Sequence, residues 1–274
     1  MKRIIVFALL VLMLPVAQGF AEVADKPSSL GIKLIGNTFS YKDPDGYTVV
    51  MGEVENTKNF QVTNVKIWVG FYADKSSGSG SALETTTGTT LLDVVPSHGR
   101  SPFMIKSQTA NSEISEVTVN LLGFNSAAQK QQLLDVAPGA LSISDTAKLP
   151  GTITNKGQQN STHTKVHLIS YDSFNPPRIV GITTIPLEDL KPNTTYDFDF
   201  DAAADPRATS FKIIAESDSY QSRLTDVTNV SVDILTRLIT INDVQILDSS
   251  GNKTSRLRVG EPVDITSALS IQAV

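Results

Sequence analysis

GEVENTKNF, residues 52–60, and GTITNKGQQ, residues 151–159, are two copies of one pattern in this chain of 274 residues. Each copy has a glycine, an apolar residue two positions later and an asparagine four positions later. The two glutamates of the first copy align with threonines in the second, so the charges are not repeated. We therefore interpret the pattern as a strand with its turn, and not as an acidic site.

The match extends along the chain without a gap. Lys66 aligns with Lys165 and Tyr72 with Tyr171, and further on a proline-containing turn precedes another strand in each copy. Each copy has the same order of strands and turns. A repeat of this kind predicts that one small domain is present twice.

Strand signals dominate both copies. Short runs rich in Val, Ile, Phe and Tyr, often alternating with polar residues, are typical of strands with one buried face. We predict strands over 47–54, 64–72, 116–122, 165–171, 196–200 and 211–215. The best helical signal is 125–136, which opens with Asn-Ser and ends before Pro138.

The predicted fold class is all-β, with two tandem antiparallel immunoglobulin-like β-sandwiches and a partial β module at the C-terminus. The expected divisions are a signal peptide (1–21), a first sandwich (30–124), a linker with helical signal (125–139), a second sandwich (140–222), a linker (223–236) and the partial module (237–274).

VGFYA at 69–73 and LISYD at 168–172 resemble the motif of the FxLYD domain. In that family a strand with the pattern Gly-x-(Val/Ile)-x-Asn precedes the motif, as it does in both copies here. The first copy departs from the family at Ala73, where Asp is usual, whereas Asp172 matches. The resemblance covers about residues 35–220 and implies immunoglobulin-like sandwiches in an exported bacterial or archaeal protein. It implies no activity.

The first residues have the pattern of a secretory signal. Lys2 and Arg3 precede an apolar run over 4–14, and small residues at 19 and 21 suit cleavage after Ala21. The run is shorter than the ~20 residues of a membrane span. We expect cleavage, with an uncleaved anchor as the alternative, and a secreted or envelope-associated protein without a further membrane span.

Charge and cysteine content exclude several classes. The formal net charge is −5, and phosphate binding needs clustered Lys and Arg, so nucleic acid is not an expected partner. The chain has no cysteine, which excludes disulfides, thiolate nucleophiles and cysteine metal sites. Four glycosylation sequons matter only if the host modifies them; they begin at Asn160, Asn193, Asn229 and Asn252.

The C-terminal segment has strand signals over 237–247, 257–260 and 263–272. It resembles the opening of an immunoglobulin-like domain found at the end of some archaeal surface proteins, but a full sandwich needs ~100 residues. Three interpretations stay open: the sequence is a fragment, the segment packs on the second sandwich, or a partner supplies the missing strands.

The histidines do not predict a catalytic or metal site. His163 and His167 lie about 13 Å apart if both are on one strand, too far for one metal without other ligands. We expect half-exposed strand histidines there, and a turn residue at His98.

The acidic residues do not predict a metal site either. Asp43-Pro44-Asp45-Gly46 begins like a calcium loop, but position 12 is Val54 instead of Glu, so a hairpin turn is the better interpretation. The densest acidic group, which we interpret as a solvated strand face and the following loop, is Asp197, Asp199, Asp201 and Asp205.

The residues of greatest interest are therefore structural. The two glycines should allow a bend or a close approach, the two asparagines should hold the following turns, and the two tyrosines should pack with their hydroxyls bound by backbone. This set is Gly52, Asn56, Tyr72, Gly151, Asn155, Tyr171 and Asp172.

The sequence predicts no catalytic residue, cofactor or metal ligand. We expect an exported, non-enzymatic protein that acts in binding, adhesion or scaffolding with an unknown protein or envelope partner. One alternative is a subunit of a surface assembly that uses C-terminal strand complementation and self-association. Another is a calcium-dependent binding protein or an enzyme.

Overall fold

Every regular element that the structure describes is a β-strand, which confirms the predicted all-β class with antiparallel sheets. The structure is a computed structural model, and it describes residues 31–73, 81–144, 146–232, 239–247 and 264–271. The expected signal peptide, residues 1–21, lies outside this part of the chain. None of the described residues forms a helix that is long and apolar enough to cross a membrane.

The first sandwich contains two sheets. Its strands are β1 (Ile32–Lys42), β2 (Tyr47–Asn56), β3 (Val62–Tyr72), β4 (Glu84–Thr89), β5 (Val94–Val95), β6 (Arg100–Ala110) and β7 (Glu116–Ser126). Sheet A has the order β1-β2-β6. In sheet B, β3 is central, with β4 and β5 on one side and β7 on the other.

The second sandwich also contains two sheets. Its strands are β8 (Leu134–Pro138), β9 (Leu141–Ile143), β10 (Thr146–Asn155), β11 (Lys165–Tyr171), β12 (Ile179–Pro186), β13 (Thr195–Ala203), β14 (Ser210–Glu216), β15 (Thr225–Asp226) and β16 (Val230–Val232). In sheet C, β10 lies between β13 and the pair β8 and β9, and β16 runs parallel to β9. Sheet D has the order β12-β11-β14-β15.

The repeat in the sequence is a repeat in the fold. β2, β3, β4, β6 and β7 of the first sandwich have the order and pairing of β10, β11, β12, β13 and β14 of the second. In both copies the predicted strands alternate between a buried and an exposed face where one side meets solvent. On β13, for example, Phe198 and Phe200 are buried and the three aspartates beside them are exposed.

Three clusters of buried apolar residues hold this arrangement together. One lies between sheets A and B, and one lies between sheets C and D. The third joins the two sandwiches, because the outer faces of sheets A and D pack against each other. β2 therefore has two buried faces: Val50 and Val54 enter the first core, whereas Val49 and Met51 face the second sandwich.

The helix expected within 125–139 is wrong. β7 continues to Ser126, and residues 134–138 form β8, which pairs with β10. The backbone of β8 forms its hydrogen bonds with the edge of β10. The segment between β7 and β8 also bonds to the turn before β3, where the Ala127 amide donates to the Gln61 carbonyl at 2.9 Å. Tertiary pairing therefore overrides a weak local helical preference.

The first part of the expected linker 223–236 is not a linker. Residues 225–226 and 230–232 form β15 and β16, which extend sheets D and C of the second sandwich. Beyond them, β17 (Ile239–Leu247) and β18 (Asp264–Ile271) form an antiparallel hairpin that pairs with no other described strand. The expected strand at 257–260 lies outside the described residues.

Candidate functional site: the interface between the two sandwiches

The asparagine of the first copy holds its turn through the side chain. Asn56 is fully buried, and its Nδ2 donates to the carbonyl oxygens of Phe60 at 2.8 Å and Pro96 at 2.9 Å. Its Oδ1 accepts from the Lys58 amide at 3.0 Å. One side chain thus ties the β2–β3 turn to the turn before β6.

The second asparagine repeats this geometry. Asn155 is fully buried, and its Nδ2 donates to the carbonyl oxygens of Gln159 at 2.8 Å and Leu190 at 2.9 Å. Its Oδ1 accepts from the Gly157 amide at 2.9 Å. The two asparagines are therefore equivalent parts of each sandwich.

The repeated glycines lie within β2 and β10, where a ring from the neighbouring strand covers them. A Cβ on Gly52 would lie 2.5 Å from Cζ of Phe103, its partner across β2 and β6. A Cβ on Gly151 would lie 2.3 Å from Cζ of Phe198, its partner across β10 and β13. Close approach of a phenylalanine ring explains both glycines.

The repeated tyrosines have different surroundings. Tyr72 is half-buried on the outer face of sheet B, beside Gly70. Tyr171 is buried, and its hydroxyl donates to Oε1 of Glu53 at 2.9 Å. The expectation that backbone would bind this hydroxyl is wrong for Tyr171, because the first sandwich places a carboxylate against it.

The interface core is apolar and contains side chains from both sandwiches. Sheet A and the loop before β5 contribute Phe39, Val49, Met51 and Leu92, and sheet D contributes Ile169, Tyr171, Ile179, Val180 and Ile214. All of these side chains are buried. The burial of apolar surface between sheets A and D joins the sandwiches in the way that it builds a domain core.

Glu53 is a buried carboxylate at this interface. Besides the Tyr171 hydroxyl, it has Arg100 Nη1 at 3.5 Å from Oε2. Burial raises the pKa of Glu53 above its ordinary value, against the hydrogen bond and the nearby cation, which lower it. Burial also raises the pKa of Tyr171, so this hydroxyl keeps its proton and donates a hydrogen bond to the carboxylate.

Glu216 is another buried carboxylate, and it connects three segments. Its oxygens accept from the amides of Asp93 at 2.7 Å and Val94 at 3.1 Å in the first sandwich. Lys130, in the segment between the sandwiches, places Nζ 2.9 Å from Oε1 and also donates to the Ser217 carbonyl at 2.8 Å. Burial raises the pKa of Glu216, and the Lys130 ammonium and the two amides oppose this shift.

His167 lies on the same outer face of β11 as Ile169 and Tyr171. Its side chain is buried, with Nδ1 2.8 Å from Oγ1 of Thr184 on β12. Burial lowers the pKa of His167 to about 4, and the neighbouring Lys165 acts in the same direction. The expectation of a half-exposed histidine is therefore wrong here, because sandwich packing covers this face.

Asp172 holds the loop between β11 and β12. Its carboxylate accepts from the Arg178 amide at 2.8 Å, from Arg178 Nε at 2.7 Å and from the Phe174 amide at 3.2 Å. Burial would raise the pKa of Asp172, but these donors outweigh it and the pKa lies below its ordinary value. Arg178 also lies over the rings of Phe174 and Phe39, so this loop reaches the interface.

The remaining histidines lie on the surface. His98 is an exposed turn residue with a φ of 52°. His163 is exposed, and its Nδ1 lies 2.7 Å from Oδ2 of Asp218. This contact raises the pKa of His163. Neither residue shares a ligand site with His167, because the His98 and His163 side chains are exposed and the His167 side chain is buried.

The acidic residues lie in a turn and on an exposed strand face, as the sequence indicated. Asp43 closes the turn between β1 and β2, accepting from the Tyr47 amide at 2.9 Å, and Gly46 supplies a φ of 87°. The aspartates of β13 are exposed. Among the described residues, no group of three or more His, Cys, Asp or Glu side chains could hold a metal ion.

The structure describes three of the sequon asparagines, and all three are exposed: Asn160, Asn193 and Asn229. Asn252 lies outside the described residues.

Comparison with known proteins gives distant likenesses to solved structures. Neither a protein-family model nor a curated protein matches the chain. Red sea bream transglutaminase is similar to the chain at 13% identity and a TM-score of 0.27, over 72% of this chain and 32% of that one. A calcium-binding mutant of Bacteroides uniformis β-glucuronidase 2 is similar at 12% identity and a TM-score of 0.23, over 70% and 28%. Bacteroides uniformis β-glucuronidase is similar at 10% identity and a TM-score of 0.25, over 68% and 26%.

The sequence interpretation missed the interface, although a signal for it was present. Residues 47–54 and 211–215 are apolar at both odd and even positions, which is typical of strands buried on two faces. A strand in a sheet with one solvent-exposed face would show a stricter alternation of apolar and polar residues. Glu53 lies within the first run and Glu216 directly follows the second, and the contact encloses both carboxylates.

Proposed function

We propose that the protein is an exported, non-enzymatic component of the cell envelope or extracellular space, and that it acts in binding, adhesion or scaffolding through its β-sandwiches. We also propose that both sandwiches are FxLYD domains. The repeated Gly-x-x-x-Asn strand and the strand that ends in tyrosine support this assignment.

The observation that carries the proposal is the buried interface between sheets A and D. Tandem domains joined by a flexible linker move independently, whereas domains that share a large apolar interface move as one body. Here the interface contains an apolar cluster and two enclosed carboxylates. A stiff pair of domains holds its outer surfaces at a set separation, which suits a scaffold or spacer.

The groups that look most reactive have structural partners. Glu53 binds the Tyr171 hydroxyl, and Glu216 binds Lys130 and two amides. His167, which is neutral because of its lowered pKa, pairs with Thr184. These bonds connect one strand or sandwich to another, which favours a structural role for them over general acid–base chemistry.

Calorimetry tests the shared interface. We expect the two sandwiches to unfold in a single transition, because neither can separate without exposing the interface core. Ile169→Asp places a charge in that core and should split the transition into two. Thr195→Asp, at an exposed position of β13, is the matched control and should leave one transition. Two independent transitions in the unmodified protein would contradict the proposal.

Cell fractionation tests the location separately. We expect the protein in the extracytoplasmic fraction, with Glu22 as the first residue by mass spectrometry. A cytoplasmic protein that retains residues 1–21 would overturn the proposed export without affecting the proposed stiffness.

A further inference from the structure

The second sandwich covers the outer edge of β14 with the residues that follow it. β15 pairs with β14, the Val227 amide donates to the Phe211 carbonyl at 2.9 Å, and β16 then runs along β9. As a result, the core-facing side chains of Phe211 and Ile213 are only 3% and 0% exposed.

The first sandwich has no such cover in the part of the chain that is described. β7 is the counterpart of β14 and pairs with β3, and no described strand lies along its other edge. After Ser126 the chain crosses to the second sandwich, where Lys130 binds Glu216. The segment that could have turned back along β7 is therefore used as the connection.

The side chains at this edge show the consequence. Val117 and Val119 pair across the sheet with Phe71 and Val69, so they face the first core as Phe211 and Ile213 face the second. Both valines are only half-buried. The open side of the first sandwich consists of these residues and two other half-buried apolar residues packed on the same core, Leu34 and Phe124.

The C-terminal hairpin has the complementary property. β17 and β18 pair only with each other among the described strands, and a two-stranded hairpin by itself is marginally stable in water. In the sequence of β18, three of the four odd positions are apolar (265, 269 and 271, with Ser267 the fourth), and three of the four even positions are polar (264, 266 and 270, with Ala268 the fourth). A strand with this alternation can cover an apolar surface with one face and meet solvent with the other.

We propose that the C-terminal hairpin of a second copy of this chain adds β18 to the outer edge of β7, with its apolar positions over the open side. The added strand runs antiparallel to β7, as β15 runs antiparallel to β14. Backbone hydrogen bonds supply affinity in such strand addition, and the alternating side chains supply register. This inference deepens the proposed scaffolding role. The biological role of the assembly rests on that proposal, whereas the strand addition itself does not.

Donor and acceptor surfaces differ, so the contact is heterologous. A heterologous contact that does not close into a ring builds an extended chain of subunits. The product is therefore an assembly, closed or linear, in which each copy accepts one hairpin and donates its own.

Light scattering on the full-length mature chain tests the proposal. We expect association that increases with concentration. Leu269→Asp on the donor strand and Val119→Asp on the acceptor should each weaken it at least about tenfold, as for a well-packed interface residue. The matched controls are the next residues, Ser270→Asp and Asn120→Asp, and they should leave association unchanged.

Hydrogen exchange is a second test that needs no variant, so a misfolded variant cannot affect its result. In the unmodified protein, the amides of β7 should exchange more slowly at high than at low protein concentration. A monomer at every concentration overturns the proposal, including a monomer in which the chain's own residues cover β7. Association that neither aspartate weakens, or β7 exchange that is independent of concentration, also overturns it. None of these outcomes alters the single unfolding transition expected for the shared interface.

Discussion

The central strands β3 and β11 are copies of each other with opposite surroundings on their outer faces. The equivalent outer positions are Trp68 and His167, Gly70 and Ile169, and Tyr72 and Tyr171. On β3 the two aromatic side chains are half-buried, whereas on β11 all three side chains are buried, and Ile169 and Tyr171 pack against the first sandwich. The same motif thus forms an outer surface in one copy and an interface in the other.

This difference separates two kinds of residue. The recurring asparagines, Asn56 and Asn155, serve each sandwich internally, whereas Tyr171 recurs as Tyr72 and serves the contact. Several positions that do not recur also serve the contact between the sandwiches. Glu53 aligns with Thr152 and reaches Tyr171, and Lys130 belongs to the connection. The repeated asparagines therefore maintain each sandwich, and the contact between the sandwiches depends largely on unrepeated positions.

The largest effect should come from the unrepeated pair of Lys130 and Glu216. Lys130→Met leaves a buried carboxylate without its cation and should lower the free energy of unfolding by about 3–5 kcal/mol. Lys148→Met, which removes an exposed partner of Asp201, should cost at most about 1 kcal/mol. Urea unfolding measures both. Equal costs would show that the interface pair has no special weight.

The repeated asparagines should come next, and they should behave alike. Asn56→Ala and Asn155→Ala each leave several buried carbonyl and amide groups unpaired, at a cost of about 2–4 kcal/mol. Asn59→Ala, an exposed residue of the same turn, should change stability by less than about 0.5 kcal/mol. Chemical unfolding of the three variants decides this. A large difference between the two buried positions would break the equivalence of the two copies.

Acidification should test the outer face of β11. The pKa of His167 is lowered in the folded state. The stability that the neutral histidine contributes is therefore fully present above pH 6.5 and is lost as the pH falls to about 4. The free energy of unfolding should decrease by about 3 kcal/mol over this range. Glu53 and Glu216 act in the opposite direction, because their raised pKa values favour the folded state as they become protonated.

A variant isolates the histidine from these carboxylates. His167→Gln should lose less stability than the unmodified protein between pH 6.5 and pH 4, measured by urea midpoints across that range. His163→Gln, at the exposed histidine, is the control for the buried position. Parallel pH profiles for His167→Gln and the unmodified protein would contradict the burial of His167.

The smallest effect should separate the two tyrosines. Tyr171→Phe removes the hydrogen bond to a buried carboxylate and should cost about 1.5–3 kcal/mol. Tyr72→Phe should cost less, because water can reach this half-buried side chain. Thermal unfolding compares them. A Tyr72→Phe variant that is as destabilised as Tyr171→Phe would remove the distinction between outer surface and interface.

Much of each sandwich could be predicted from its residues. The strands around positions 165–171 and 196–200 follow from composition and alternation, and the turns after Asn56 and Asn155 follow from an amide that bonds to backbone within four residues. Such contacts depend on neighbours along the chain. The helical signal at 125–136 failed because its residues pair with β10 and with distant turns.

The sequence by itself determined the strand pattern, the duplication and the asparagine turns, because these depend on local spacing and period. Only the tertiary structure decided which strand faces are dry. Tyr171 and Glu53 are 118 residues apart, and the Asp93 amide and Glu216 are 123 apart. An apolar or acidic residue on an outer face has no assigned partner until another sheet packs against it, and that packing determines whether it is buried.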